Sequence, residues 1–314
     1  TGSETRVMRV DRRWYAAREC LRDDQTGLWP CRDLPQAPAA EAPAAARTSF
    51  VTTGDALADR LAPSLVLVNY SMPFSVAGVT ERNYHGTGLV VDAARGLVAV
   101  DRNTVPVAVG DVRLTFAGSV EVPGRVEYVH PLHNVAIVSF DPKLLDGTPI
   151  RSATLDPREL VPGESVVVVG MNGDSRVRSI ATTVASVDDV SFPLSRTLQF
   201  REANLEVARL VNGPSDFDGV IVGSDGRVRA LWSSFAVEAG REVSQVNRGL
   251  PVELVAEAVA AVKEARPLYS LEVEFEAVPI SQARKLGLPE AWVQRFESAG
   301  DVHRQVLSVA RVVA

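Results

Sequence analysis

Histidine and cysteine are scarce. Four histidines (His85, His130, His133 and His303) and two cysteines (Cys20 and Cys31) serve 314 residues. So few soft ligands exclude a histidine-rich metal site and an all-cysteine zinc site, and no metal or cofactor is expected. Lysine is nearly absent: three of the 33 basic residues are Lys143, Lys263 and Lys285. With a net charge of −6 and no block of Lys or Arg, neither nucleic acid nor an anionic membrane is the expected partner. No apolar run approaches the roughly 18–20 residues needed to cross a bilayer, so no membrane span is expected. The opening Thr1-Gly-Ser-Glu-Thr-Arg6 lacks the apolar core of a secretory signal, and a soluble, intracellular protein is the expectation.

What is present is ample core material: 46% hydrophobic against 23% charged residues, a balance that excludes disorder and disulfide scaffolds. Residues 5–34 read as a β-hairpin, with Asp24-Gln-Thr-Gly27 as the turn. A two-residue loop at Gln25-Thr26 sets Cys20 opposite Cys31; a bulge at Gly27 staggers them, so a disulfide is allowed but not implied. Residues 35–46 are Ala/Pro-rich and read as a linker. A short helix is expected near Asp55–Leu61, starting close to Thr53 or Gly54.

From Ser64 to Asn247 the pattern changes to short β-rich runs with Gly, Pro, Asn or Asp between them. Ten stand out: Leu65–Tyr70, Thr87–Val91, Leu97–Val100, Val112–Phe116, Val135–Phe140, Val166–Val169, Ile180–Val184, Val220–Val222, Val228–Trp232 and Val243–Val246. Such a series without intervening helices predicts an all-β barrel or sandwich in two halves, joined through 141–162. A helix follows over Pro251–Ala265, with Pro251 in its first turn. Beyond Pro267 come an alternating strand at Leu271–Phe275, a helix at Ser281–Leu286 and a strand at Val306–Val313, as in a module cut short.

Several residues invite a functional reading beside a plain one. His130 and His133 are three apart but precede a strand, where a polar turn accounts for them. His85 opens a strand and reads as a surface or edge residue. Trp14, Tyr15 and Trp29 exceed what a hairpin buries alone, which predicts docking on the β-domain or on another chain.

A double barrel of this length suits a serine hydrolase, which needs a nucleophile, an imidazole and a carboxylate to orient it. The run His85-Gly-Thr-Gly-Leu-Val-Val-Asp92, followed by Gly96-Leu-Val-Ala-Val-Asp-Arg-Asn-Thr-Val105, resembles the first barrel of the HtrA/Deg proteases. The resemblance sets Asn103 at the general-base position, where an amide cannot take up and return a proton. The run His130-Pro-Leu-His-Asn-Val-Ala-Ile-Val-Ser-Phe-Asp141 sets Asn134 at the orienting aspartate. Asn212-Gly-Pro-Ser-Asp-Phe-Asp-Gly219 matches the nucleophile loop. Counting back without a gap from the Asp225-Gly226 turn gives Phe217 at the nucleophile, whereas a two-residue deletion brings Ser215 there. Phe217 then either fills core or plugs the former specificity pocket.

The match narrows further through Val100-Asp-Arg-Asn-Thr-Val-Pro-Val107, Asp111-Val-Arg-Leu-Thr-Phe-Ala117, Phe200-Arg-Glu-Ala-Asn-Leu-Glu206 and Arg229-Ala-Leu-Trp232. These runs resemble the second, degenerate protease module of double-length HtrA/Deg proteins of the fungal nuclear pro-apoptotic and large plant types. The resemblance implies a mainly β, trypsin-like double β-barrel with a C-terminal helix. It divides the chain into an N-terminal β-hairpin segment (1–34), a linker (35–47), a degenerate protease domain (48–266) and the first part of a PDZ-like domain (267–314). It also implies a non-enzyme: a catalytically inactive module serving structure, oligomerisation or peptide docking within a larger serine protease. Peptides or unfolded protein segments are the implied partners, and a homo-oligomer of the trimer type the implied assembly. The alternative is an active serine endopeptidase using a displaced nucleophile such as Ser215.

Overall fold

A computed structural model describes residues 6–7, 18–20, 31–33, 44–72, 83–190, 204–239, 242–267, 269, 271, 273–299 and 304–312. At the N-terminus three short strands, β1 (Arg6–Val7), β2 (Arg18–Cys20) and β3 (Cys31–Asp33), form an antiparallel sheet in that order. The expected hairpin is thus the β2–β3 pair with a third strand beside it. Its backbone register sets Cys20 opposite Cys31. Trp14, Tyr15, Trp29 and the proposed turn lie outside the described residues.

Helix α1 (Ala56–Leu61) starts one residue later than Thr53 or Gly54 suggests, because Asp55 is the cap: its carboxylate accepts from Leu57 N at 2.9 Å and Ala58 N at 3.1 Å. The first closed barrel contains β4 (Leu65–Ser71), β5 (Asn83–Asp92), β6 (Leu97–Val100), β7 (Asp111–Phe116), β8 (Val120–Val129) and β9 (Ala136–Phe140), in spatial order β4-β5-β6-β9-β8-β7. The second contains β10 (Ser165–Met171), β11 (Val177–Val190), β12 (Asn204–Leu210), β13 (Asp218–Val222), β14 (Val228–Ala239) and β15 (Glu242–Pro251), in order β10-β11-β12-β15-β14-β13. The shared six-strand order makes the barrels topological repeats, and closure leaves neither with an open edge.

Twelve strands stand where ten runs were legible. The additions are β8, whose apolar pattern is broken by Pro123-Gly124, and β12. The link between barrels is pinned along β14: Val228 N donates to Thr154 O at 2.9 Å, and Asp156 N donates to Val228 O at 2.8 Å. Buried Arg229 completes the fastening, donating to Arg158 O at 3.0 Å and to Glu164 at 2.9 Å.

Helix α2 (Val252–Glu264) follows, with Pro251 just outside it as the cap residue rather than within its first turn. Val252, Val255, Ala258 and Val259 recur at helical spacing, so one stripe is apolar, and all four are buried. They join Leu65, Leu89 and Val135 of the first barrel and Val169, Val220 and Leu231 of the second in one core cluster. The two helices cross over. Helix α1 precedes the first barrel but grips the second, through an Asp55–Ser179 hydrogen bond and Arg60 Nη2 to Asp225 O at 3.1 Å. Helix α2 follows the second barrel but grips the first, through Lys263–Asp92 at 2.6 Å and Arg95 Nη1 to Lys263 O at 3.1 Å.

The last unit pairs β16 (Val273–Pro279) with β17 (Gln305–Val312), bridged by α3 (Ile280–Lys285) and α4 (Glu290–Ser298). Helix α4 was not anticipated, its short amphipathic run being hidden behind the Gly287 and Pro289 breaks. No described helix is long and apolar enough to cross a membrane.

Candidate active-site cleft

The barrels meet where β5 packs on β10 and β13. Close approach is possible there because Gly86 has no side chain: an added Cβ would run into Thr104 Oγ1 and lie 3.2 Å from Asp218 Oδ2. Beside this seam a cleft of about 270 Å³ opens, lined by His85, Asn103, Ser215, Asp216, Phe217, Asp218 and Ser234 among others.

The two sequence-nominated asparagines come together on one residue of the other barrel. Asn103, in the turn after β6, donates from Nδ2 to Ser234 Oγ at 2.8 Å. Asn134, fully buried just before β9, donates from Nδ2 to Ser234 O at 2.8 Å and accepts from Arg102 N at 2.8 Å. Asp101 completes the network: its carboxyl accepts from Thr104 N at 2.7 Å, Ser234 N at 3.0 Å and Ser234 Oγ at 3.3 Å. Burial pushes the Asp101 carboxyl up, opposed by these hydrogen bonds. Ser234, on β14 of the second barrel, is therefore the hub to which the first barrel's wall is fastened. It is 131 residues from Asn103, so no local spacing could have singled it out.

Phe217 forms the opposite wall. It is 4% exposed and packs with Val166, Val168, Leu210, Ile221 and Trp232, while its neighbours Ser215 and Asp216 stay exposed in the cleft. The Trp232 indole fixes this loop from below, donating to Pro214 O at 2.9 Å. The next residue, Asp218, points into the seam, where Asn247 donates to Oδ1 at 2.9 Å. Burial, then the Asp101 carboxylate, raises the Asp218 carboxyl well above its ordinary range. Neither Asp101 nor Asp218 was nominated from the sequence. Asp101 directly follows β6 and Asp218 opens β13, and no local pattern joins the two.

Asn103 and Phe217 thus line the cleft, Asn134 backs it through Ser234, and Ser215 stands at the rim. His85, expected at a plain surface position, lines the cleft as well. His130 and His133 lie elsewhere. The His130 Nδ1 accepts from Leu132 N at 3.1 Å and His133 N at 2.9 Å, making the polar turn expected of them. Burial, with His133 and Arg102 adding to it, lowers His130 to about 4. Among the described residues no group of three or more His, Cys, Asp or Glu side chains is placed to hold a metal ion.

In chemical terms, Asn103 and Asn134 offer directed amide hydrogen bonds, and neither carries a titrating proton. The same cleft also presents the His85 imidazole, the Asp218 carboxyl and the Ser215 hydroxyl.

No family model matches the chain. Proteins named pro-apoptotic serine protease NMA111 do: those of Chaetomium globosum and Pyricularia oryzae are each 33% identical over 98% of this chain. The chain spans 31% of the length of each. Among solved structures, the HtrA-type protease AlgW with a tripeptide superposes with a TM-score of 0.53 at 15% identity, covering 76% of this chain and 73% of that one. A Mycobacterium tuberculosis protease in its active form gives 0.51 at 16% identity, covering 75% and 97%. The fold is thus the trypsin-like double barrel of the HtrA-type proteases. The expectation of a non-enzyme is corrected by these comparisons, since relatives matching nearly the whole chain are named serine proteases. That expectation rested on Asn103, Asn134 and Phe217, with Ser215 as the alternative, and the cleft holds Ser215 together with His85. The chain is a homologue of roughly one third of a fungal pro-apoptotic serine protease.

Proposed function

We propose that this chain is a module of a larger HtrA-type serine protease and that its inter-barrel cleft docks extended peptide or unfolded protein segments. One observation carries the reading: amides and hydroxyls from both barrels (Asn83, Asn103, Asn172, Ser215, Ser234 and Gln245) line a single cleft. Such groups offer donors and acceptors matched to an extended backbone. The proposed division keeps 48–266 as the protease domain and 267–314 as the beginning of a PDZ-like domain. Assembly into a homo-oligomer is proposed with it, and light scattering at several concentrations tests that part. For docking, hydrogen exchange is followed with and without reduced, unfolded lactalbumin. Slowed exchange at 83–86 and 215–219 is expected; protection confined to other segments overturns the reading.

Ser215 and His85 favour a second reading, cleavage of the docked segment, since a hydroxyl and an imidazole share the cleft. A diphenyl phosphonate probe decides it. Stoichiometric labelling that disappears in Ser215→Ala supports cleavage through Ser215, and an unlabelled chain removes it.

A further inference from the structure

The cleft's charge and size select among peptides. Its lining residues include Asp216 and Asp218, with His85 the one basic residue type among them. The nearby Arg178 is shared between two carboxylates, at 3.0 Å from Asp174 and 3.3 Å from Asp216, so Asp216 is only partly compensated at the rim, while Arg176 acts on Asp174. Among the described residues Asp218 receives one side-chain donor, Asn247, on Oδ1. At about 270 Å³ the space admits one long side chain with its adjoining backbone, not a larger ligand.

We propose that the inter-barrel cleft takes an extended segment carrying a lysine or arginine side chain, with Asp216 at the rim and Asp218 at the base selecting its charge. The inference rests on the peptide-docking reading and adds the class of peptide. A cation entering the cleft shares the exposed Asp216 carboxylate with Arg178 at its mouth, a contact that salt screens. At the base it faces Asp218, whose carboxyl is pushed up by burial, so a bound cation and the charged form of Asp218 favour one another.

Fluorescence anisotropy of labelled, end-blocked Ala-Ala-Lys-Ala-Ala is compared with versions bearing norleucine or glutamate at the centre, using the 314-residue chain. The lysine peptide is expected to bind about tenfold more tightly than the norleucine peptide. Its affinity should fall as salt rises from about 50 to about 500 mM. Asp216→Asn, at an exposed position where folding is not at stake, should cut the preference several-fold, and adding Asp218→Asn should erase it. A norleucine peptide that binds as tightly, and is blocked by Ser215→Trp, overturns charge selection and leaves peptide docking standing. Failure of all three peptides to bind, at concentrations up to about 1 mM, overturns both.

Discussion

On the first barrel's side of the cleft, Asn103 and Asn134 direct their amides at Ser234, and every contact depends on which end donates. On the second barrel's side, Phe217 sits among aliphatic side chains and Trp232, where only volume is specified. The resemblance to proteases assigns these positions to one triad, yet one wall is held by direction and the other by packing. The difference means that like substitutions should fail in unlike ways.

The largest effect is expected from emptying the apolar wall. Phe217→Ala should cost about 3–5 kcal/mol in urea unfolding, whereas Phe217→Leu should cost less than about 1.5 kcal/mol. Equal, small losses would mean that this wall is not core. On the polar wall, Asn134→Asp barely changes volume but reverses a donor. The introduced carboxylate faces Ser234 O and has no proton to give, so a loss of about 1–3 kcal/mol is expected at pH 7. Its folded-state pKa is raised, so the penalty should fade as pH drops and the protonated acid regains the hydrogen bond. A penalty that grows on acidification would break the assignment.

His130 tests a half-buried polar turn away from the cleft. Its folded-state value of about 4 lies below the 6.5 of an unperturbed imidazole, so the neutral form is the stabilised one. The contribution is complete above about pH 6.5 and is lost as pH falls toward 4. An NMR titration midpoint near 4 is expected, and one above 6 would contradict the packing of this turn. The smallest effect belongs to the surface clasp: Lys263→Met should cost about 0.2–1 kcal/mol, less in high salt.

The strands of both barrels were legible where Val, Ile and Leu form unbroken runs, as in Val166–Val169. They were obscured where Pro123-Gly124 interrupts β8, although Val120 and Val122 are buried on its inner face. For the site, Asn103, Asn134, Phe217 and Ser215 could be nominated because the runs around them resemble HtrA/Deg motifs. The network they enter could not. Asn103 and Asp101 reach Ser234 across 131 and 133 residues, and the pairing exists only after two barrels have closed and docked. His85 shows the same limit: strand periodicity gives its face, while only the approach at Gly86 puts that face in a cleft.

The crossed helices have a mechanical consequence. Asp55 and Arg60 hold the second barrel from a helix that precedes the first, while Lys263 and Arg95 join the first barrel to a helix that follows the second. The two halves are therefore locked like hooked fingers, each by a segment belonging to the other end of the chain. A single cut in the exposed part of the 141–162 connection should leave the pieces associated, and prising the cleft open requires both hooks to yield.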